Sequence, residues 1–358
     1  MDEKENKHKA FKLLILIFIG IMLFFLKEEN QAKLAKYLGT FKMESRRLKL
    51  QNSVSMDMAE GDVALYDDNI LLWKGNRLSR FKLNGDKVWE KEFNLDEPQA
   101  YFGRDQIYVY ERPGGQIYII DPEGESKEQF QLNINIYNLM EGNNGLLIHS
   151  KEEDIESINI LDKEANLIGQ KSIEGQNILT YSMDGNNELL ALSTLNLKGE
   201  SLRTEIQVFG VEGEFLWTVY LENEIAMYLK FDDDNNLIVL TDRGVYQIHE
   251  GNILWKKQFQ LIKDIYMDEE YIHVLYENVL ESLSFDGRTF AKNSFAEGYK
   301  KIVFNGDHII LYGDNYILGL KEGMEVFKFD SERAIERLLC GKGKLILIHK
   351  EGFDILSY

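Results

Sequence analysis

A short turn recurs seven times along this chain, about 40 residues apart, and this repeat constrains the fold more than any other feature. The central residue of the turn is Gly in six copies and Ala in one. The spacings between successive central residues are 39, 41, 48, 38, 36 and 36. Glycine permits the positive φ that tight turns between antiparallel strands require. The central residues are Gly85, Gly124, Ala165, Gly213, Gly251, Gly287 and Gly323.

The segments between these turns alternate apolar residues and are rich in β-branched and aromatic side chains, for example residues 106–110 and 116–120. Long segments with helical periodicity are absent from this part of the sequence. About four short strands in each unit of roughly 40 residues are typical of a β-propeller blade. The repeat therefore predicts an all-β propeller of four-stranded antiparallel blades over residues 48–358.

Three of the turns are followed by a tryptophan at the same offset of four residues. We interpret these tryptophans as core residues packed between neighbouring blades, in preference to ligand contacts. The three pairs are Gly85 with Trp89, Gly213 with Trp217, and Gly251 with Trp255.

Seven turns indicate seven blades, and the chain continues for 35 residues after Gly323 without an eighth turn. The last blade therefore lacks its outermost strand, whereas residues 47–51 form a strand with no blade of their own. We expect this early strand to complete the last sheet and close an eight-bladed ring, because an open ring would expose a strand edge and an apolar face. A seven-bladed ring is the alternative if two weak units merge.

The N-terminal region differs from the rest of the chain. Residues 13–26 are apolar and uncharged, which predicts a single transmembrane signal anchor, with a cleaved signal peptide as the alternative. Residues 1–12 form a predicted cytoplasmic leader, and residues 27–47 form a predicted juxtamembrane stalk. We expect a single-pass protein of the cell membrane, with a monomeric propeller outside the cytoplasm.

Charge and cysteine content narrow the range of partners and cofactors. Residues 1–50 carry a balance of +5 and the remainder a balance of −24, so nucleic acid is a poor partner for the body. The single cysteine, Cys340, excludes an intrachain disulfide and a zinc site built on cysteines.

No catalytic or cofactor motif stands out in the sequence. The acidic run at residues 232–236 is interpreted as turn chemistry, with calcium binding as the alternative. The six histidines show no metal-ligand spacing, and Cys340 is interpreted as an inert buried thiol. We therefore expect no metal, no cofactor and no enzymatic activity.

Tyrosines recur in the segments predicted to be the innermost strands of six blades. Because innermost strands surround the central channel of a propeller, these side chains are candidates to line the channel and stack a peptide or sugar. The alternative is that they pack between blades. They are Tyr101, Tyr137, Tyr181, Tyr228, Tyr266 and Tyr299.

The Gly-x-x-x-Trp turns at residues 83–89, 211–217 and 249–255 resemble those of pyrroloquinoline-quinone-like repeat β-propellers. The whole layout also resembles a family of uncharacterised membrane-anchored propellers of low-GC Gram-positive bacteria. The quinoprotein enzymes of this class typically use a vicinal disulfide, which a single cysteine cannot form, so the resemblance favours the non-catalytic scaffold members.

The resemblance and the absence of catalytic motifs together predict a scaffold that binds another envelope protein or a peptide. Two alternatives remain: an enzyme, such as a lyase or hydrolase working at the channel mouth, and a sensor or spacer ectodomain.

Overall fold

The computed structural model describes residues 48–197 and 202–357, and within these ranges it contains 32 strands and eight sheets. The first strand of the chain, β1, spans Lys49–Ser55. Blades 1 to 4 follow in chain order and contain β2 (Asp62–Tyr66), β3 (Asn69–Lys74), β4 (Arg77–Lys82), β5 (Lys87–Glu92); β6 (Pro98–Phe102), β7 (Ile107–Glu111), β8 (Gln116–Ile120), β9 (Ser126–Gln131); β10 (Ile136–Glu141), β11 (Gly145–Glu152), β12 (Ile155–Asp162), β13 (Leu167–Glu174); and β14 (Asn177–Met183), β15 (Leu189–Asn196), β16 (Arg203–Gly210), β17 (Phe215–Glu222).

The remaining strands form blades 5 to 8. They are β18 (Ala226–Phe231), β19 (Leu237–Thr241), β20 (Gly244–His249), β21 (Asn252–Gln258); β22 (Ile262–Met267), β23 (Tyr271–Tyr276), β24 (Val279–Ser284), β25 (Thr289–Ser294); β26 (Lys301–Asn305), β27 (His308–Tyr312), β28 (Tyr316–Lys321), β29 (Met324–Asp330); and β30 (Arg337–Gly341), β31 (Lys344–His349), β32 (Gly352–Ser357).

Seven sheets each use four consecutive strands, and the eighth has the order β1-β32-β31-β30. β1 is antiparallel to β32, with Lys49 opposite Ser357 and Ser55 opposite Gly352. The prediction of an eight-bladed ring closed by the two ends of the described chain is confirmed, and the seven-bladed alternative is wrong. All seven predicted turns join the third strand of a blade to the fourth.

The core consists of eight apolar clusters, each between two neighbouring blades. One cluster joins blade 8 to blade 1 through Phe353, Ile355, Ile70 and Phe81, so the closing interface is packed like the others. The second and third strands of the blades supply most of these side chains, and leucine is prominent among them beside the β-branched and aromatic residues. Within the described residues, the eight clusters make the core continuous around the ring.

The tryptophans of the repeat pack against the turn of the next blade, as predicted. A Cβ built on Gly124 of blade 2 would lie 2.9 Å from the ring of Trp89 in blade 1. A Cβ on Gly287 of blade 6 would lie 2.6 Å from the ring of Trp255 in blade 5. Each of these two tryptophans therefore fills the gap between two blades. The turn of the next blade comes so close to the ring that glycine is the residue that fits there without displacing it.

The two ends of the ring are distinguishable. Because strands alternate in direction, the turn between the first and second strands of each blade lies at the same end as the turn between the third and fourth. We call this end the lower face. Since Lys49 pairs with Ser357, β1 begins at the lower face. The chain therefore enters the ring there.

Several predictions fall outside the described residues. The leader at 1–12, the anchor at 13–26 and the stalk at 27–47 belong to this group. Within the part of the chain that the structure describes, no helix is long and apolar enough to span a membrane.

Candidate functional site

A large groove opens on the lower face of the described ring between blades 6 and 7, at one of the four turns that are not followed by tryptophan. In blades 1, 4 and 5 the fourth residue after the turn glycine is tryptophan, but in blade 6 this position is Ala291. A Cβ on Gly323, the turn glycine of blade 7, would meet only Asn293 at 3.7 Å, where a tryptophan ring would otherwise lie. The space that tryptophan fills elsewhere is therefore left open.

The resulting groove has a volume of about 1440 Å³ and extends across the lower face from blade 5 to blade 7. Its floor includes Phe231, Met267 and Leu280, which are buried. Its walls are the turns that follow the first strands of these three blades. The site is thus built from the rigid ends of strands, which suits it to hold a ligand in a fixed geometry.

The rim of the groove is strongly acidic, with eight carboxylates and one lysine, Lys230. The carboxylates belong to Asp232, Asp233, Asp234, Asp268, Glu269, Glu270, Asp307 and Glu322. Three of them are engaged: Asp232 and Asp268 hold their own turns, and Asp307 pairs with Lys321. The other five are exposed and form no ion pair with any described side chain. This rim favours a positively charged ligand.

Two stacked aromatic pairs add flat apolar surface to the same groove. Tyr266 of blade 6 stacks on Phe304 of blade 7, with ring centroids 4.0 Å apart and an interplanar angle of 13°. Tyr271 stacks on Phe290 at 4.4 Å, and Phe290 is 67% exposed. Aromatic faces beside carboxylates can bind the alkyl stem and the cationic head of lysine or arginine.

A buried histidine supports the blade 6 wall. His273 contacts Asp268 through Nε2 at 2.8 Å and the Ser282 hydroxyl through Nδ1 at 2.8 Å. Burial lowers the pKa of His273, and the nearby Asp268 carboxylate partly opposes this effect. Burial acts to raise the pKa of Asp268, but hydrogen bonds from His273 and from two backbone amides outweigh it and lower the pKa. The turn that carries Glu269 and Glu270 is therefore tightly held.

The alignment of Ser282, His273 and Asp268 resembles a hydrolytic relay in order, but its setting favours a supporting role. Ser282 lies in β24, which is paired on both edges, opposite His273 and opposite Ala291. The backbone amides around it serve the sheet, so they cannot converge on a developing oxyanion. We therefore assign the three residues to holding the wall of the groove.

A second, smaller pocket lies between blades 2 and 3, where the repeat also lacks its tryptophan. The fourth residue after Gly124 is Glu128, which again leaves out the tryptophan, and a pocket of about 300 Å³ opens on the lower face. Inside it, Tyr108 donates a hydrogen bond to Glu141 at 3.0 Å. A missing tryptophan therefore coincides with an open pocket at both interfaces.

The six predicted channel tyrosines do not form a shared surface. Tyr101, Tyr181, Tyr228 and Tyr299 pack into four different clusters between blades, and Tyr299 lies before β26 rather than in an innermost strand. These four correct the prediction, because their rings fill gaps between sheets. Tyr137 is 56% exposed, and Tyr266 is the one member of the six that lines the groove.

The acidic run at residues 232–236 is a turn, as interpreted. Asp232 accepts hydrogen bonds from the backbone amides of Asp234 and Asn236, at 3.0 and 2.8 Å. Cys340 packs beside the cluster between blades 7 and 8, and burial raises the pKa of its thiol to about 12. Neither the acidic turn at residues 232–236 nor the Cys340 thiol offers an evident reactive group.

Sequence reasoning missed the groove, although a signal for it was present. The repeat places tryptophan after three turns, and Ala291 is one of four other residues at this position, with Glu128, Gly169 and Phe327, so the signal was not unique to this interface. Tyr271, Phe290 and Phe304 lie in three different strands, so their convergence could not be read from spacing.

Comparison with solved structures shows the same fold. BamB from Moraxella catarrhalis has a TM-score of 0.58 and 12% identity, covering 87% of this chain and all of BamB. The C-terminal WD40 domain of Sif2 has a TM-score of 0.61 and 12% identity, covering 87% of this chain and 99% of that domain. The Dos1 propeller has a TM-score of 0.59 and 10% identity, covering 88% and 97%. At these identities the likeness shows the fold alone.

Sequence comparison gives the family. No curated protein matches the chain. The profile of a family of unknown function, DUF5711, matches residues 43–357, which include all eight blades. The chain therefore belongs to the DUF5711 family.

Proposed function

We propose that this protein is a non-catalytic binding scaffold of the cell envelope, which docks a basic, extended segment of another protein in the groove between blades 6 and 7. Residues 13–26 anchor it in the membrane, and the propeller lies outside the cytoplasm. The observation that carries the proposal is the open interface at Ala291, whose rim combines five uncommitted carboxylates with two stacked aromatic pairs.

Charge and shape both support a peptide-like ligand. The groove is long, because it crosses three blades, and its carboxylates lie on successive turns along that length. An extended lysine- or arginine-rich segment could therefore contact one turn after another. The likeness to BamB and to a WD40 domain is consistent with a binding role and adds no ligand of its own.

The placement in the envelope is supported by the sequence. A basic leader, an uncharged apolar run at 13–26 and a large body behind it are the usual arrangement of a signal anchor. Extraction of membranes with carbonate, followed by protease treatment of intact cells, tests this part. The full-length chain should remain with the membrane and lose its propeller to external protease.

Ala291→Trp tests the groove itself. The new ring should lie over Gly323 as Trp255 lies over Gly287, closing the part of the groove beside this turn without harming the interface. A photoreactive amino acid at Phe290 should crosslink one envelope protein in otherwise wild-type cells and lose it in the Ala291→Trp background.

Glu128→Trp is the matched control, because it fills the smaller pocket between blades 2 and 3. It should leave the crosslink from position 290 unchanged. If Ala291→Trp folds normally and retains the crosslinked partner, the groove is not the docking site.

A further inference from the structure

The chain begins its path through the ring at the same face as the groove, on the other side of blade 7. Leu48 is 7% exposed and packs in the cluster between blades 7 and 8, against Ile310 and Phe327 of blade 7. Blade 7 also forms one wall of the groove, through Phe304 and Ile309. Both features lie at the lower face, so one blade separates the start of the described chain from the groove.

The segment before Leu48 has the chemistry that the groove lacks. Residues 27–47 contain six basic and three acidic residues, whereas the groove rim has eight carboxylates and one lysine. The segment also contains Tyr37 and Phe41, which could contact the exposed ring of Phe290. At about 3.3 Å per extended residue, 15 residues reach roughly 50 Å, so length does not prevent contact.

Tethering makes an intramolecular contact favourable. A ligand joined to its site by a short stretch of the same chain has an effective concentration of about 1 mM, so even a weak site would be substantially occupied. A partner present at lower concentration must then compete with the chain's own segment.

We propose that residues 27–47 of this chain dock in the acidic groove between blades 6 and 7 and occupy it until a basic segment of a partner displaces them. The inference rests on the proposed function in one respect, namely that the groove binds basic peptides. It adds a built-in competitor for the same site.

The first test uses the full chain in detergent micelles with Tyr37→p-benzoylphenylalanine as a photoreactive probe. Irradiation should give crosslinks within one molecule, mapped by mass spectrometry to the groove turns at 232–234, 268–271 or 322–323. Crosslinks to other blades, or only between two molecules, would overturn the proposal.

Charge reversal supplies matched variants. Asp233→Lys with Glu269→Lys changes two exposed groove carboxylates that hold no described side chain, and it should reduce the crosslink at least about fivefold. Glu153→Lys with Glu277→Lys places the same charge change on turns at the opposite face, and it should have no effect. Equal loss in both pairs would show that only net charge matters and would overturn the docking site.

A second measurement separates this inference from the proposed function. The probe is a fluorescein-labelled peptide with the sequence of residues 27–47, followed by anisotropy. Full chain in which Lys33, Lys36, Lys42, Arg46 and Arg47 are changed to Gln should bind it at least about tenfold more tightly than wild type, because the groove is then open. Equal binding to both would overturn self-docking but leave a basic-peptide site in the groove. Binding to neither would overturn both proposals.

Discussion

The contact between Trp255 and Gly287 gives a quantitative test of how the blades are joined. In Gly287→Ala the new Cβ would lie 2.6 Å from the indole ring, closer than packed carbon atoms approach each other. The ring cannot easily move, because its Nε1 donates hydrogen bonds to Gln247 Oε1 at 2.9 Å and to the Phe285 carbonyl at 2.8 Å. The substitution must therefore shift the turn or break these bonds.

Three costs contribute to the expected loss of stability. Overpacking costs about 1–3 kcal/mol, and a lost hydrogen bond costs about 1 kcal/mol. A Cβ at the positive φ of +82° adds about 1–2 kcal/mol. The unfolding free energy should therefore fall by about 3–6 kcal/mol in Gly287→Ala.

Gly323→Ala is the control, because Gly323 occupies the same turn position in blade 7, has a similar φ of +74° and meets only Asn293, at 3.7 Å. It should lose about 1–2 kcal/mol, from backbone strain alone. Urea denaturation of residues 48–358, followed by circular dichroism with equal slopes, measures the difference. In a Trp255→Leu background the cost of Gly287→Ala should fall to that of Gly323→Ala. Equal costs for the two glycines in the wild-type background would refute the packing argument.

Three further predictions concern closure, acid stability and the groove wall. Deleting residues 48–55 removes β1 and should abolish a single cooperative melting transition in calorimetry, because the last sheet loses its outer strand; an unchanged transition would contradict closure. Burial tends to raise the pKa of Glu281, but its hydrogen bonds with Lys257, Thr289 and Tyr276 lower it to about 2. Its carboxylate thus stabilises the fold above about pH 4.5, and this contribution of roughly 1–3 kcal/mol is lost as the pH falls towards 2. Glu281→Gln should therefore lower stability at pH 7 and flatten the acid dependence of the urea midpoint, whereas a parallel curve would argue against the assignment. His273→Leu removes the hydrogen bond to Asp268, so limited proteolysis at residues 268–271 should become several-fold faster; an unchanged rate would show that the turn does not need His273.

The architecture could be predicted from the sequence because the spacing of the repeated turns gives the length of each blade directly. Gly85 and its six counterparts mark tight turns, and the apolar alternation between them marks strands, so blade number and blade content needed only local information. The partner of the early strand could also be inferred, since a ring without it would leave an open edge.

The channel tyrosines show where local information fails. Five of the six tyrosines do lie in the first strand of a blade, as the sequence indicated. A strand has two faces and a twist, however, so the strand alone does not fix the direction of a side chain. Tyr181 is buried in a cluster and Tyr137 is exposed, although both lie in first strands. The neighbouring blade decides which of the two rings is covered. Burial of a ring is decided by the sheet beside it, and that sheet is distant in sequence.

By itself, the sequence determined the repeat, the eight-bladed closed ring, the separate basic and apolar N-terminal region and the acidic character of the body. Only the tertiary structure showed that Ala291 leaves a gap over Gly323, that carboxylates from three blades surround this gap, and that the chain enters the ring at the same face, one blade away. The physical reason is that a repeat encodes its turns and strands locally, whereas a groove is the space that two neighbouring units fail to fill.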